Sequence, residues 1–202
     1  MNTLILHETF ENPTLDSRLR WLNPPANWRI EPGGLVIEPD PETDFWRKTH
    51  YGFVADNGHF LFAEIEGDFS ATTTVHFAPA HQYDQAGLML RISAECWLKT
   101  SIEFEPGGPN QLGAVITNGG YSDWSTQDIS PEVQTLTVRA TREGRTTLVE
   151  YLTPAGRWSQ LRLAHLHQDD GVTPVQVGLY ACSPKGGGFR AQFEALKIER
   201  AG

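Results

Sequence analysis

Two consecutive runs near the middle of the chain decide what it can fold into. Along Gln85–Ser93, Ala86, Leu88, Leu90 and Ile92 alternate with Gln85, Gly87, Met89, Arg91 and Ser93. Along Trp97–Glu105, Leu98, Thr100, Ile102 and Phe104 alternate with Trp97, Lys99, Ser101, Glu103 and Glu105. A period of two puts alternate side chains on opposite faces of a strand, so each run has one apolar face for a core and one largely polar face. Matching the apolar faces places Ile92 opposite Leu98 and Arg91 opposite Lys99, because a slip of one residue would turn every apolar side chain outward. The next run follows suit, with Leu112, Ala114 and Ile116 inward and Gly113, Val115 and Thr117 outward.

The rest of the chain is written in the same style. Pro24-Pro25, Pro32-Gly33-Gly34, Pro106-Gly107-Gly108-Pro109 and Gly186-Gly187-Gly188 separate short runs rich in β-branched and aromatic residues, among them Gly34–Glu38, His59–Glu66, Phe69–Phe77, Val175–Cys182 and Gln192–Glu199. Short strands between turn clusters read as a many-stranded sandwich. Only Arg162–Gln168 offers one or two helical turns. With 202 residues, no repeat and no linker, the chain is expected to form one all-β domain over residues 1–202, two antiparallel sheets packed face to face.

Acidic residues outnumber basic ones by 25 to 16, a net charge of −9 that repels phosphate backbones and anionic lipid. Neither nucleic acid nor membrane is an expected partner, and no segment approaches the roughly 18 apolar residues that a bilayer span needs. The opening Met1–Glu8 lacks the basic start and apolar run of a secretory signal. Cys96 and Cys182 are the only cysteines and are read as reduced, which points to the cytoplasm.

The polar face of the two central runs carries Gln85, Met89, Arg91, Trp97, Lys99, Ser101 and Glu103. An indole offers a flat apolar platform and its polar neighbours can bond hydroxyls, so Arg91, Trp97, Lys99 and Glu103 are read as the floor of a ligand cleft. Two segments read as loops supply its rim: Asp44 and Trp46 from Asp44-Phe45-Trp46-Arg47-Lys48, and Asp123 and Trp124 from Tyr121-Ser122-Asp123-Trp124-Ser125. The structural alternatives are a cross-strand charge network under Trp97, with Trp46 and Trp124 plugging the ends of the sandwich.

The strings Thr43–Phe53, Gln85–Arg91, Trp97–Glu103, Tyr121–Ser125 and Gly178–Pro184 resemble the "regulation of enolase" family, a domain family of unknown function in the concanavalin A-like lectin/glucanase superfamily. The resemblance implies a jelly-roll sandwich whose concave sheet holds the ligand site in many superfamily members. It also implies kinship with modules appended to glycoside hydrolases, and the family's name implies a protein partner. It brings no set of catalytic residues.

Glycoside hydrolysis needs two carboxylates at a set separation. Glu64 and Glu66 share a face, but Gly67-Asp68-Phe69 reads as a turn, so the superfamily's catalytic spacing is absent. Glu103 would need a partner from another strand, such as Asp44 or Asp123, and Lys99 and Arg91 beside it are expected to keep it ionised. The chain has no dinucleotide fingerprint, Walker loop, nucleophile elbow or Cys-x-x-Cys, so no cofactor is expected. His165, His167, Asp169 and Asp170 lack a second cluster to complete a metal shell, so no metal is expected either. Three functions follow: a lectin-like domain binding a sugar or small glycan, a carbohydrate-active hydrolase or lyase, and a non-catalytic regulator binding a protein such as a metabolic enzyme. The first is preferred.

Overall fold

Alternating strands bury one face each, and here two sheets bury those faces against one another. The computed structural model describes residues 3–201; Met1, Asn2 and Gly202, which the domain expectation also spans, lie outside them. Among the described residues there are seventeen strands and no helix. One sheet runs β15 (Trp158–Ala164), β14 (Thr146–Leu152), β13 (Thr135–Glu143), β8 (Phe69–Ala78), β17 (Arg190–Arg200), β4 (Gly34–Glu38), β3 (Asn27–Glu31), with β1 (Leu4–Glu8) also pairing β17. The other runs β12 (Tyr121–Ile129), β11 (Asn110–Asn118), β10 (Cys96–Glu103), β9 (Gln85–Ser93), β16 (Val175–Cys182), β7 (His59–Ile65), β2 (Arg20–Leu22). All strand pairs within both sheets are antiparallel. A hairpin of β5 (Phe45–Arg47) and β6 (Val54–Asp56) stands apart from both sheets.

The main core joins side chains of the two sheets. Ala86, Leu88, Leu90 and Ile102 from the seven-stranded sheet meet Phe69, Val75, Val138, Phe193 and Ile198 from the other. Leu98 and Ile116 extend it toward Val149 and Leu166. This is the β-sandwich expected from the alternation, with the expected residues inward. Phe104 is the exception: β10 ends at Glu103, and Phe104 is only half-buried beyond it.

The register of β9 and β10 differs from the expected one by two residues. Leu90, not Ile92, faces Leu98, and Arg91 faces Trp97. The cause is a tight Ala94-Glu95 turn followed by a bulge, in which Ser93 pairs Cys96, Arg91 pairs Trp97, and Ile92 is the extra residue. A shift of two leaves every face assignment intact, and it also separates Arg91 from Lys99, like charges that would repel if directly opposed.

Two local expectations fail. Arg162–Gln168 is not helical: Arg162, Leu163 and Ala164 complete β15 against Val149, Leu148 and Thr147. The ladder satisfies backbone groups that one isolated helical turn would leave bare. Tyr121–Ser125 is not a loop either. Gly119 and Gly120 are both left-handed, at φ 59° and 77°, so a two-residue turn closes between Asn118 and Tyr121 and the chain enters β12 at once.

Arg142 is wholly enclosed and meets both carboxylate oxygens of Asp169, while also donating to the Gly67 and Thr173 carbonyls. Asp169 is therefore a structural partner, and among the described residues no group of three or more His, Cys, Asp and Glu is placed to hold a metal. Cys96 lies on the core side of the seven-stranded sheet and Cys182 on its outer side; both are buried free thiols.

Leu90→Ala and Ile102→Ala each leave a cavity in this core and are expected to lower the unfolding free energy by about 2–5 kcal/mol in urea titrations. Leu163→Ala, at an exposed position, should stay within about 0.5 kcal/mol of the parent.

Candidate functional site

The outer face of the seven-stranded sheet carries the residues singled out for chemistry, but most of it is roofed. Phe45 of β5 sits fully buried, edge-on to Trp97 at 6.2 Å and to Tyr180 at 6.4 Å. With Trp46, Phe60, Phe62, Met89, Val115 and Cys182 these rings form a second apolar cluster, on the side of the sheet opposite the main core. Asp44-Phe45-Trp46-Arg47-Lys48, read as a loop, is thus largely a strand, because Phe45 has an apolar floor to cover. Trp97 is 0% exposed, and its indole N–H has no hydrogen-bond partner among the described residues. It is part of the floor of this cluster rather than an open platform.

Ionic contacts fasten the roof. The Arg91 guanidinium donates to both Asp56 carboxylate oxygens, at 2.8 and 2.9 Å, and lies over the Phe45 ring. At the other strand of the hairpin, Ser122 Oγ accepts from the Arg47 backbone N–H at 2.9 Å. Asn23 Nδ2 donates to the Asp56 carbonyl at 2.9 Å. Arg91 therefore acts as a clamp for β6.

One part of the face stays open. A cavity of about 310 Å³ is bounded below by Gln85, Lys99 and Glu103, and laterally by Asp44, Trp46, Tyr51, Phe53, Tyr83 and Trp124. Of the eight expected site residues, five line it: Asp44, Trp46, Lys99, Glu103 and Trp124. Arg91 and Trp97 lie under the hairpin. Asp123 faces away, since alternation along β12 puts it on the side opposite Trp124, where it pairs with Arg162 at 3.2 Å. Tyr51, Phe53 and Tyr83 were not anticipated as wall residues. The dense aromatics of Phe45–Phe53 were the available signal, but their convergence depends on the hairpin folding back over the sheet.

The floor is an unusual set of charges. Lys99, 2% exposed, donates from Nζ to Gln85 Oε1 at 2.7 Å and to Asp44 Oδ1 at 3.1 Å. Burial alone would push its ammonium down, but the neighbouring carboxylates, Asp44 first, carry it above the ordinary lysine value. The Tyr180 hydroxyl donates to the same Gln85 oxygen at 3.2 Å. An ammonium has three N–H bonds, so one remains after these two contacts.

Glu103 is 7% exposed, and no protein hydrogen bond reaches its carboxyl among the described residues. Burial pushes its pKa up to about 7, against the opposing pull of Lys99. This corrects the expectation that Lys99 and Arg91 hold it ionised: Arg91 is committed to Asp56, and desolvation outweighs one paired ammonium. The Tyr83 hydroxyl is likewise raised, by burial and then by the adjacent Tyr51. Chemically the cavity offers a spare N–H, an unpartnered carboxyl able to donate or accept near neutrality, and aromatic faces on several sides.

Comparison with known proteins gives the following. The family described as "Protein of unknown function (DUF1349)" matches residues 21–201. The chain is 38% identical over 178 residues to "Regulation of enolase protein 1" of Saccharomyces cerevisiae, spanning 88% of this chain and 87% of that protein. A crystal structure of a functionally unknown protein from Saccharomyces cerevisiae is 36% identical and superposes with a TM-score of 0.83 over 92% of this chain and 97% of that one. At 20% identity, the Bacteroides ovatus xyloglucan PUL GH43B superposes with a TM-score of 0.78 over 96% of this chain, which corresponds to 39% of that one. At 19%, the GH43 protein BlXynB from Bacillus licheniformis gives 0.74 over the same shares. The last two likenesses concern the fold alone.

A group protonated in the folded state over a range where it is ionised in the unfolded chain makes the native state bind more protons there, so stability falls as pH rises through that range. For Glu103 the window runs from 4.5 to about 7. Glu103→Gln is therefore expected to be relatively more stable than the parent at pH 7 than at pH 4.5. Paired urea titrations at the two pH values check this; an unchanged difference would show that Glu103 titrates normally.

Proposed function

The chain belongs to the DUF1349 family of proteins of unknown function, and we propose that it is a lectin-like domain whose cavity beside the β5–β6 hairpin binds a neutral sugar. The observation that carries this reading is the Glu103 carboxyl, largely buried at the floor of that cavity and without a protein hydrogen-bond partner among the described residues. A buried polar group is normally satisfied, and one left free in an accessible hollow suits an incoming hydroxyl. The spare Lys99 N–H supplies a donor beside it. Sugar hydroxyls both give and take hydrogen bonds, and sugar C–H faces suit the walls made by Trp46, Tyr51 and Trp124. The pairing of Lys99 with Asp44 leaves no strong net charge at the floor, which favours a neutral ligand over a uronate or a phosphate. The cavity's size, near the bottom of the range for small-molecule sites, fits one ring better than an open chain lying across the sheet.

A hydrolase remains the second reading. A carboxyl poised near neutrality beside the ion-paired Asp44 has the form of an acid and its companion carboxylate. A regulatory protein partner rests on the name of the yeast relative alone. Two buried free thiols suit a reducing compartment, and we place the protein in the cytoplasm on that ground.

A glycan array followed by calorimetry tests the sugar reading. Trp124, only half-buried, packs on the edge of the roofed cluster. Trp124→Ala is expected to weaken binding at least about tenfold while its Tm moves by no more than about 3 °C. A parent protein that retains no glycan overturns the reading, and a Trp124→Ala protein that unfolds assigns the indole to stability. Turnover of any sugar found, lost in Glu103→Gln while binding persists, would favour the hydrolase.

A further inference from the structure

Beside the cavity lies a shallower groove of about 540 Å³, between the loop that joins β5 to β6 and the first residues of β12. Trp46, Tyr51 and Trp124 line both spaces, so one aromatic partition has the cavity on one side and the groove on the other. The Trp46 indole N–H donates to the Thr49 carbonyl at 3.0 Å, and its ring meets Tyr51 edge-on at 5.6 Å. The groove's far wall is Tyr121, 60% exposed.

The loop that shapes this groove is held in a costly conformation. Lys48 and His50 both have left-handed backbones, at φ 56° and 63°, where a side chain is disfavoured. Lys48 N donates to the Phe53 carbonyl and Gly52 N to the Lys48 carbonyl, each at 2.8 Å, so the turn is fixed by its own backbone. It places His50 and Tyr51 at the groove while leaving Tyr51 half in water. Two opposite charges border the surface so formed: Asp123, which lines the groove and pairs with Arg162 of β15 in the other sheet, and the Lys48 ammonium, which rests 5.1 Å from the centre of the Tyr121 ring.

We propose that this groove is a second sugar subsite, and that the ligand is a neutral oligosaccharide with one ring in the cavity and the adjoining ring against Tyr121 and Tyr51. The inference rests on the sugar reading of the cavity and adds to it that a single ring is an incomplete ligand. The shared partition is what links the two spaces: neighbouring rings of one chain would pass Trp46 and Trp124 in succession. Aromatic side chains and the His50 imidazole suit a ring that presents C–H faces and hydroxyls but no charge.

Calorimetry with one-unit and two-unit members of two neutral series, xylose with xylobiose and glucose with cellobiose, tests the subsite. If the array returns a different sugar, its own one-unit and two-unit forms take their place. The two-unit form should bind at least about tenfold tighter than the one-unit form, equivalent to about 1.4 kcal/mol. Tyr121→Ala and His50→Ala should each remove most of that gain and leave the affinity for one unit unchanged. One-unit binding that two units do not improve overturns the subsite and leaves the cavity reading standing. A gain that survives both substitutions also overturns it, because the second ring then lies elsewhere. If no sugar binds in either form, the cavity reading falls and the subsite with it.

Discussion

An ammonium nearly sealed from water lies at the centre of the outer face, and the arrangement around it follows from the need to satisfy it. Removing a lysine charge from solvent costs several kcal/mol unless an opposite charge and further hydrogen bonds meet it. Lys99 finds Gln85 on the neighbouring strand and Asp44 at the start of the hairpin. The second of these ties the hairpin to the sheet. Once Asp44 is drawn down to Lys99, Phe45 is carried over Trp97 and Tyr180, and the apolar cluster on the outer face has its lid. Arg91 and Asp56 repeat the device at the partner strand. Two charge pairs rooted in adjacent strands thus hold a two-stranded roof that pairs with neither sheet.

The same burial produces the oddity of Glu103. It stands four residues from Lys99 on the same face, yet the ammonium already has a carboxylate partner, so it compensates Glu103 only in part. The roof and walls that stabilise the Lys99 pair also strip water from Glu103, and desolvation outweighs the residual attraction. Structural bonding of one charge thereby leaves a neighbouring group chemically unsatisfied at neutral pH.

The sandwich was legible because period-two alternation is a property of each strand alone, and Ala86 to Leu90 or Leu98 to Ile102 can face only one way. Register was less legible, since the bulge at Ile92 is a choice made by a two-residue turn. The solved yeast structure at 36% identity and the GH43 likenesses agree with the sandwich read from these runs. The site was legible in composition but not in exposure. Polar-face residues were rightly placed on the outer side, yet nothing in the spacing of Trp97 or Arg91 reveals a roof contributed from about 40 residues upstream. Asp123 shows the converse limit. Next to Trp124 in sequence, it reads as a rim neighbour while the segment is taken for a loop, and strand alternation sends it to the opposite side.

Two of the cavity's walls lie outside the doubly paired interior of the sandwich. β12, which carries Trp124 and Tyr121, is an edge strand whose ladder is with β11 alone, and the hairpin that carries Trp46, Tyr51 and Phe53 forms no ladder with either sheet. Substitutions there do not propagate through a ladder with neighbours on both sides, whereas the floor is welded into the central strands. The exposed wall positions Tyr51 and Phe53 can change, or the Lys48–Phe53 turn lengthen, while the ladders of both sheets stay as they are. A scaffold divided in this way can reshape its cavity by small local steps without breaking the sheets that support it.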